Sequence, residues 1–177
     1  MKLLLSACLS FFLATSALAQ NGAVVVNVNG INCTNVEHQT GFNATSYSLG
    51  GTVKTGRAEP ARNARPPALD ALSVAKNFDA CSEPLIRLFL GSTTIPTLTL
   101  IQYSGGGDGR NVPALTITLT NAVMTSYEVT GAPEVRPAEV LTFIYKKVCV
   151  TSVGQNPDGS PQSPVTVCYD VARNQVS

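Results

Sequence analysis

Leu98-Thr99-Leu100, leading to Tyr103, and Leu115-Thr116-Ile117-Thr118-Leu119-Thr120 alternate apolar and polar side chains, and Ser104-Gly105-Gly106-Gly107-Asp108-Gly109 lies between them. Successive side chains of a strand point to opposite faces, so leucine and isoleucine fall on one side and threonine on the other, the pattern of half-buried strands. A Gly/Asp-rich connection between two such runs is a hairpin signal. The chain is therefore read as mainly β, organised around paired strands over residues 96–171.

Toward the C-terminus, residues 122–129 predict a further strand, residues 131–137 a turn broken by prolines, and residues 140–151 one long strand. Asn156-Pro157-Asp158-Gly159 is a strong turn signal whose centre lies midway between Cys149 and Cys168. A hairpin closing symmetrically about it sets Cys149 opposite Cys168, Lys147 opposite Asp170 and Thr151 opposite Thr166 on one face. Val150 with Val167 and Val148 with Tyr169 then form the other, more apolar face.

Toward the N-terminus, one helix is expected, starting at Asp79 or Ser82 as N-cap and ending at Gly91 in the left-handed conformation. Pro84 is tolerated in its first turns. Cys81, Leu85, Leu88 and Phe89 share its inward face, with Glu83 and Arg87 toward water. Residues 69–74 read as a strand returning to the sheet. Before them, residues 50–67 hold Gly50, Gly51, Gly56, Pro60, Pro66 and Pro67 with Lys54, Arg57, Arg62 and Arg65 against only Glu59. Such a segment cannot be a central strand and predicts a long, mobile, basic loop, either a disordered excursion or an interaction arm. Residues 23–28 and 47–49 complete the expected strands, with a break at Asn29-Gly30.

Residues 1–19 are read as a signal peptide: Lys2 is the basic start, residues 3–13 the apolar run, and Ala17-Leu18-Ala19 the cleavage site before Gln20. No later stretch approaches the roughly 20 apolar residues of a membrane-spanning helix. Residues 20–177 are thus expected to form one exported domain, periplasmic or secreted, without membrane insertion. Without Lys2 the basic and acidic side chains number eleven each, which argues against a nucleic-acid partner. Cys8 leaves with the leader, so four cysteines remain in an oxidising compartment. The hairpin register pairs Cys149 with Cys168 and leaves Cys33 for Cys81. Zinc is disfavoured because there is no Cys-x-x-Cys and only one histidine.

Catalytic chemistry finds little footing. Nucleophilic catalysis usually needs a histidine base, and His38 beside Glu37 reads as a surface residue. Asp70, Asp79, Glu128, Glu134, Glu139 and Asp170 offer no spacing that singles out a carboxylate pair, and read mostly as turn, cap or exposed positions. The glycines at 105–109 are followed by a strand rather than a helix, so they make a turn and no phosphate cradle. No enzyme activity and no cofactor is expected.

The order of motifs from Leu72 onward resembles the hemolysin-coregulated protein (Hcp) family of type VI secretion systems. Leu72-Ser73-Val74-Ala75-Lys76-Asn77-Phe78-Asp79-Ala80-Cys81-Ser82-Glu83-Pro84-Leu85 is similar to that family's strand leading into an Asp-x-x-Ser-x-Pro-Leu helix. Residues 115–123 followed by Ser126-Tyr127, then Pro137-x-Glu139-x-x-x-Phe143, and Tyr169-Asp170 before Asn174 resemble its later segments, with Tyr169 standing where the family has tryptophan. The resemblance implies a small antiparallel β-barrel with one lateral α-helix, assembling as a homo-oligomer into a hexameric ring that stacks into a tube. It also places Lys54, Arg57, Arg62 and Arg65 on the loop that makes ring and tube contacts. The leader and the four cysteines depart from the family pattern, so the chain reads as an exported member with a structural or binding role, whose partners are further copies of itself or a secreted protein. An alternative from another class is a secreted carbohydrate- or surface-binding β-sandwich.

Overall fold

The computed structural model describes residues 23–31, 33, 41–53, 66–105 and 111–177. Among them are β1 (Val24–Val28), β2 (Gly41–Ala44), β3 (Ser46–Ser48), β4 (Gly51–Thr52), β5 (Ala68–Leu69), β6 (Leu72–Asn77), α1 (Ser82–Leu90), β7 (Thr94–Gly105), β8 (Asn111–Ala132), β9 (Val135–Ile144), β10 (Lys147–Ser152), β11 (Val165–Asp170) and β12 (Gln175–Val176). All pairings are antiparallel.

The threonine-leucine alternation decides the centre as read. Leu98 pairs with Leu119 and Leu100 with Ile117, and all four are buried. Thr97 pairs with Thr120 and Thr99 with Thr118 on the opposite face. Pairing then runs from β8 to β9, to β6, to β3, and from β7 to β1 to β2. β2 and β3 are separated only by Thr45, whose N–H donates to the Ala75 carbonyl. The path thus returns on itself through one bent strand, giving a barrel-like antiparallel wall around Val26, Phe42, Leu72, Val74, Leu141 and Phe143. Gly41 lets the start of β2 lie close against β1: a Cβ there would lie 2.6 Å from the Val26 carbonyl oxygen.

Several elements differ from their sequence reading. Residues 122–129 are not a separate strand but the second half of β8, which runs 22 residues. It pairs with β10 along residues 115–120 and with β9 beyond Val123. Asn121, at φ 50°, turns the strand without ending it, because asparagine tolerates the left-handed region. The expected long strand over 140–151 is interrupted at Tyr145 and Lys146, opposite that bend. The expected strand over 69–74 is two pieces: Leu69 belongs to β5, which pairs with β4 as a small ribbon at the root of the basic segment, and β6 starts at Leu72. The loop is therefore narrower than 50–67.

The helix caps also differ. Cys81 occupies the N-cap position without a side-chain cap bond. Asp79 and Ser82 both sit nearby, but their side chains are engaged elsewhere, as described below. Gly91 stays right-handed at φ −80°, and Ser92 takes the left-handed turn at φ 48°. The last carbonyls are satisfied one residue later, by the N–H groups of Ser92 and Thr93 on Phe89 and Leu88.

The terminal hairpin has the register read from its turn: Lys147 faces Asp170, Cys149 faces Cys168 and Thr151 faces Thr166. β11 and β12 extend the sheet past β10 as a flap.

Candidate functional site

Two constellations stand out, one buried and polar, the other open and apolar. The first begins with Lys76 on β6, a lysine with no exposed side-chain surface. An ammonium has three protons to donate. Here Nζ reaches Glu139 Oε2 at 2.5 Å, the Asn77 carbonyl at 2.8 Å and Asp79 Oδ1 at 2.9 Å. Phe42 supports it from the other side, its ring centroid 5.6 Å away.

Glu139 on β9 is equally buried. Besides Lys76, its Oε2 accepts the Ser82 hydroxyl at 2.8 Å, and its Oε1 accepts the Tyr127 hydroxyl from β8. Ser82 in turn accepts the Asp79 N–H at 2.9 Å, and Asp79 Oδ1 accepts the Cys81 N–H at 2.8 Å. Among the described residues no buried side-chain nitrogen or oxygen lacks a partner. The network ties the start of α1 to β6, β8 and β9, which is why Asp79 and Ser82 do not cap the helix in the ordinary way. It corrects the reading of Glu139 as a turn or exposed position. A Pro-x-Glu pattern by itself carries no burial signal. Only the neighbouring Lys76 at the other end of a β6–β9 pair, where Lys76 faces Glu139, reveals it.

The network brings a serine and a lysine together, 3.1 Å apart, but both are fully buried. A substrate carbonyl has no approach to Ser82 without unfolding α1, so the pair holds structure. Burial and the Glu139 carboxylate beside it push the Tyr127 hydroxyl well above its ordinary value of 10; burial also raises Tyr47, and burial with the Asp70 charge raises Tyr145. A raised folded-state value favours the neutral phenol. The stability it contributes is complete below pH 10 and is lost as pH rises through the folded-state value. In an alkaline titration followed by tyrosinate absorbance, the native protein is expected to hold these hydroxyls protonated above pH 10, with Tyr127→Phe removing the last-ionising step. A native titration superimposable on that of the denatured chain would contradict the network.

Cys33 and Cys81, both buried, are joined with Cα atoms 4.9 Å apart, and Cys149 and Cys168, half-buried, are joined with Cα atoms 4.0 Å apart. The first bridge fastens the same helix start that the polar network holds. Lys54, Arg57, Arg62, Arg65 and His38 lie outside the described residues. Among the described residues no group of histidine, cysteine and carboxylate side chains is arranged to hold a metal, and no helix is long and apolar enough to cross a membrane.

The second constellation is an apolar cleft of about 290 Å³ between the β4–β5 ribbon and the face of β10–β11. Leu49 and Leu69 form one wall, and Val148, Val150, Val167 and Tyr169 the other, with Tyr145 at its end. The apolar face of the terminal hairpin thus opens onto this cleft. Val167 remains 56% exposed, and Val165 and Val176 are exposed beside it.

Residues 20–151 match the family model described as "Type VI secretion system effector, Hcp". No curated protein sequence matches the chain. Among solved structures, one described as a type six secretion system protein superposes with a TM-score of 0.78 at 20% identity, covering 88% of this chain and 99% of that one. Hcp1 from Salmonella typhimurium superposes at 0.67 with 16% identity, covering 89% and 99%. A type VI secretion system effector from Yersinia pestis superposes at 0.64 with 18% identity, covering 84% and 99%. At these identities the likeness is one of fold. The findings support the barrel with a lateral helix and not the carbohydrate-binding sandwich. The motif residues Asp79, Ser82, Tyr127 and Glu139 are the ones that meet around Lys76.

Proposed function

Because the chain belongs to the Hcp family of type VI secretion system proteins, we propose that it is a non-catalytic structural subunit that self-assembles into a hexameric ring able to stack into a tube. The family match over residues 20–151 is the observation that carries this reading. The fold supports it: a rigid, fully satisfied wall with exposed apolar surface on its hairpins suits repeated assembly better than small-molecule chemistry. Residues 1–19 are taken as an export leader, which places assembly in the periplasm or outside the cell. Two disulfides within 20–177 suit that compartment. The basic segment containing Lys54, Arg57, Arg62 and Arg65 is assigned to contacts between copies, or to a secreted partner protein.

The test is the mass of the exported, oxidised protein by light scattering, with negative-stain images of the same peak. Six copies in a ring are the expected result. A protein that stays monomeric at every concentration reached would end the assembly reading and leave only the fold.

A further inference from the structure

The two disulfides differ in what can reach them. Cys33 and Cys81 are 1% and 0% exposed and belong to the hydrophobic cluster. Cys149 and Cys168 are half-buried. They share the outward face of the terminal hairpin with Lys147, Thr151, Thr166 and Asp170, while Val148 on the other face joins the core. Thiol–disulfide exchange requires an attacking thiolate to meet a sulfur directly. At the hairpin a sulfur is open to one; at the helix start the core must open first.

The bridge also sits where the ladder is weakest. The Cys168 N–H donates to the Ser177 carbonyl, and the Ser177 N–H donates to the Cys168 carbonyl, so both backbone groups of Cys168 point away from β10. Cys149 and Cys168 therefore form a pair without backbone bonds between them, and only sulfur joins the strands at that step. Beyond β11 the sheet holds only β12, paired at Tyr169–Val176 and Asp170–Gln175. β10, by contrast, is paired along six residues with β8. Losing the bridge thus loosens the sheet edge and leaves β10 in place.

We propose that the Cys149–Cys168 bridge is a thiol–disulfide exchange site for a protein carrying a Cys-x-x-Cys dithiol, and that opening it releases β11 and β12 from an otherwise intact fold. One thiolate of the dithiol attacks a bridge sulfur, the Cys149–Cys168 bond breaks, and its electron pair leaves on the other cysteine. The second thiol of the partner then resolves the mixed disulfide. This chain gains two electrons and two protons as two thiols, and the dithiol is oxidised to a disulfide. The released strands carry the exposed Val165, Val167 and Val176 and part of one wall of the apolar cleft, so redox state sets the shape of that surface.

The oxidised protein, without denaturant, is mixed with a Cys-x-x-Cys dithiol protein whose second cysteine is replaced by serine, and the adduct is mapped by peptide mass spectrometry. A one-to-one mixed disulfide through Cys149 or Cys168 is expected, and none from Cys149→Ser/Cys168→Ser. With the intact dithiol protein, Cys149 and Cys168 should become open to alkylation at least about tenfold faster than Cys33 and Cys81, since exchange at a buried bridge waits on opening of the core. Hydrogen exchange on the selectively reduced protein, and on Cys149→Ser/Cys168→Ser, should show protection lost in β11 and β12 and kept in β6, β7 and β8. No adduct, an adduct through Cys33 or Cys81, or equal rates at the two bridges would overturn the exchange site. Unchanged protection of β11 after selective reduction would overturn the release.

Discussion

Lys76→Met is expected to lower the stability of the oxidised protein by about 3–5 kcal/mol, the range found when one partner of a buried ion pair is removed and the other is left uncompensated. The substitution strands the Glu139 carboxylate, which has no exposed surface, with Asp79 close by. Glu139→Gln should cost less. It leaves the ammonium with Asp79 Oδ1 at 2.9 Å, a carboxylate that remains 23% exposed, so the charge is still partnered. The double variant Lys76→Met/Glu139→Leu removes both charges and is expected to recover most of the loss, because well-packed apolar replacements of a buried pair are often neutral or stabilising. Urea midpoints measured without reductant on the four proteins form the test. If Lys76→Met cost less than about 1 kcal/mol, the ordinary range for a surface pair, the buried network could not be what holds α1.

Removing the buried bridge by Cys33→Ala/Cys81→Ala is expected to cost about 4 kcal/mol on the chain-entropy account, since it closes a loop with a sequence separation of 48. Cys149→Ala/Cys168→Ala, with a separation of 19, should cost about 3 kcal/mol on the same model. Packing widens the gap in one direction. Cys33 and Cys81 lie in the hydrophobic cluster beside Phe42 and Leu85, so their truncation also leaves a void. Cys149 and Cys168 are half-buried in a ribbon whose ladder continues on both sides. Thermal midpoints under identical oxidising conditions decide it. Equal losses, or a larger loss at the terminal hairpin, would show that the bridge at α1 is not a principal fastening. Cys81 and the Lys76 network share Asp79, so combining Cys81→Ala with Lys76→Met should depart from additivity.

Neither prediction was open to the sequence in full. The bridge from Cys33 to Cys81 followed from register arithmetic in the terminal hairpin and elimination. The lysine-glutamate network did not. Lys76 and Glu139 are 63 residues apart, and each stands in a stretch whose alternation gives no reason to expect a charge on the inward face. The motifs containing Asp79, Ser82, Tyr127 and Glu139 were legible as a family pattern without their purpose. Their purpose needed β6 beside β9 and α1 laid across both.

What this sequence determined by itself is what short-range physics encodes. The two-residue period of 98–100 and 115–120 set strand, face and hairpin together, because a slip of one residue would turn every leucine to water. Asn156-Pro157-Asp158-Gly159 set the terminal register for the same reason, and helix α1 followed from spacing alone. The tertiary structure decided everything that depends on non-local neighbours. It carried β8 through Asn121 as one strand, because pairing on both sides held the backbone across a residue tolerant of positive φ. It drew Asp79 and Ser82 away from capping, because the buried Lys76 ammonium needs their oxygens as acceptors. It also left the apolar cleft between the β4–β5 ribbon and β10–β11 uncovered, since solvent exposure depends on which elements lie overhead, a relation that alternation along a single strand does not carry.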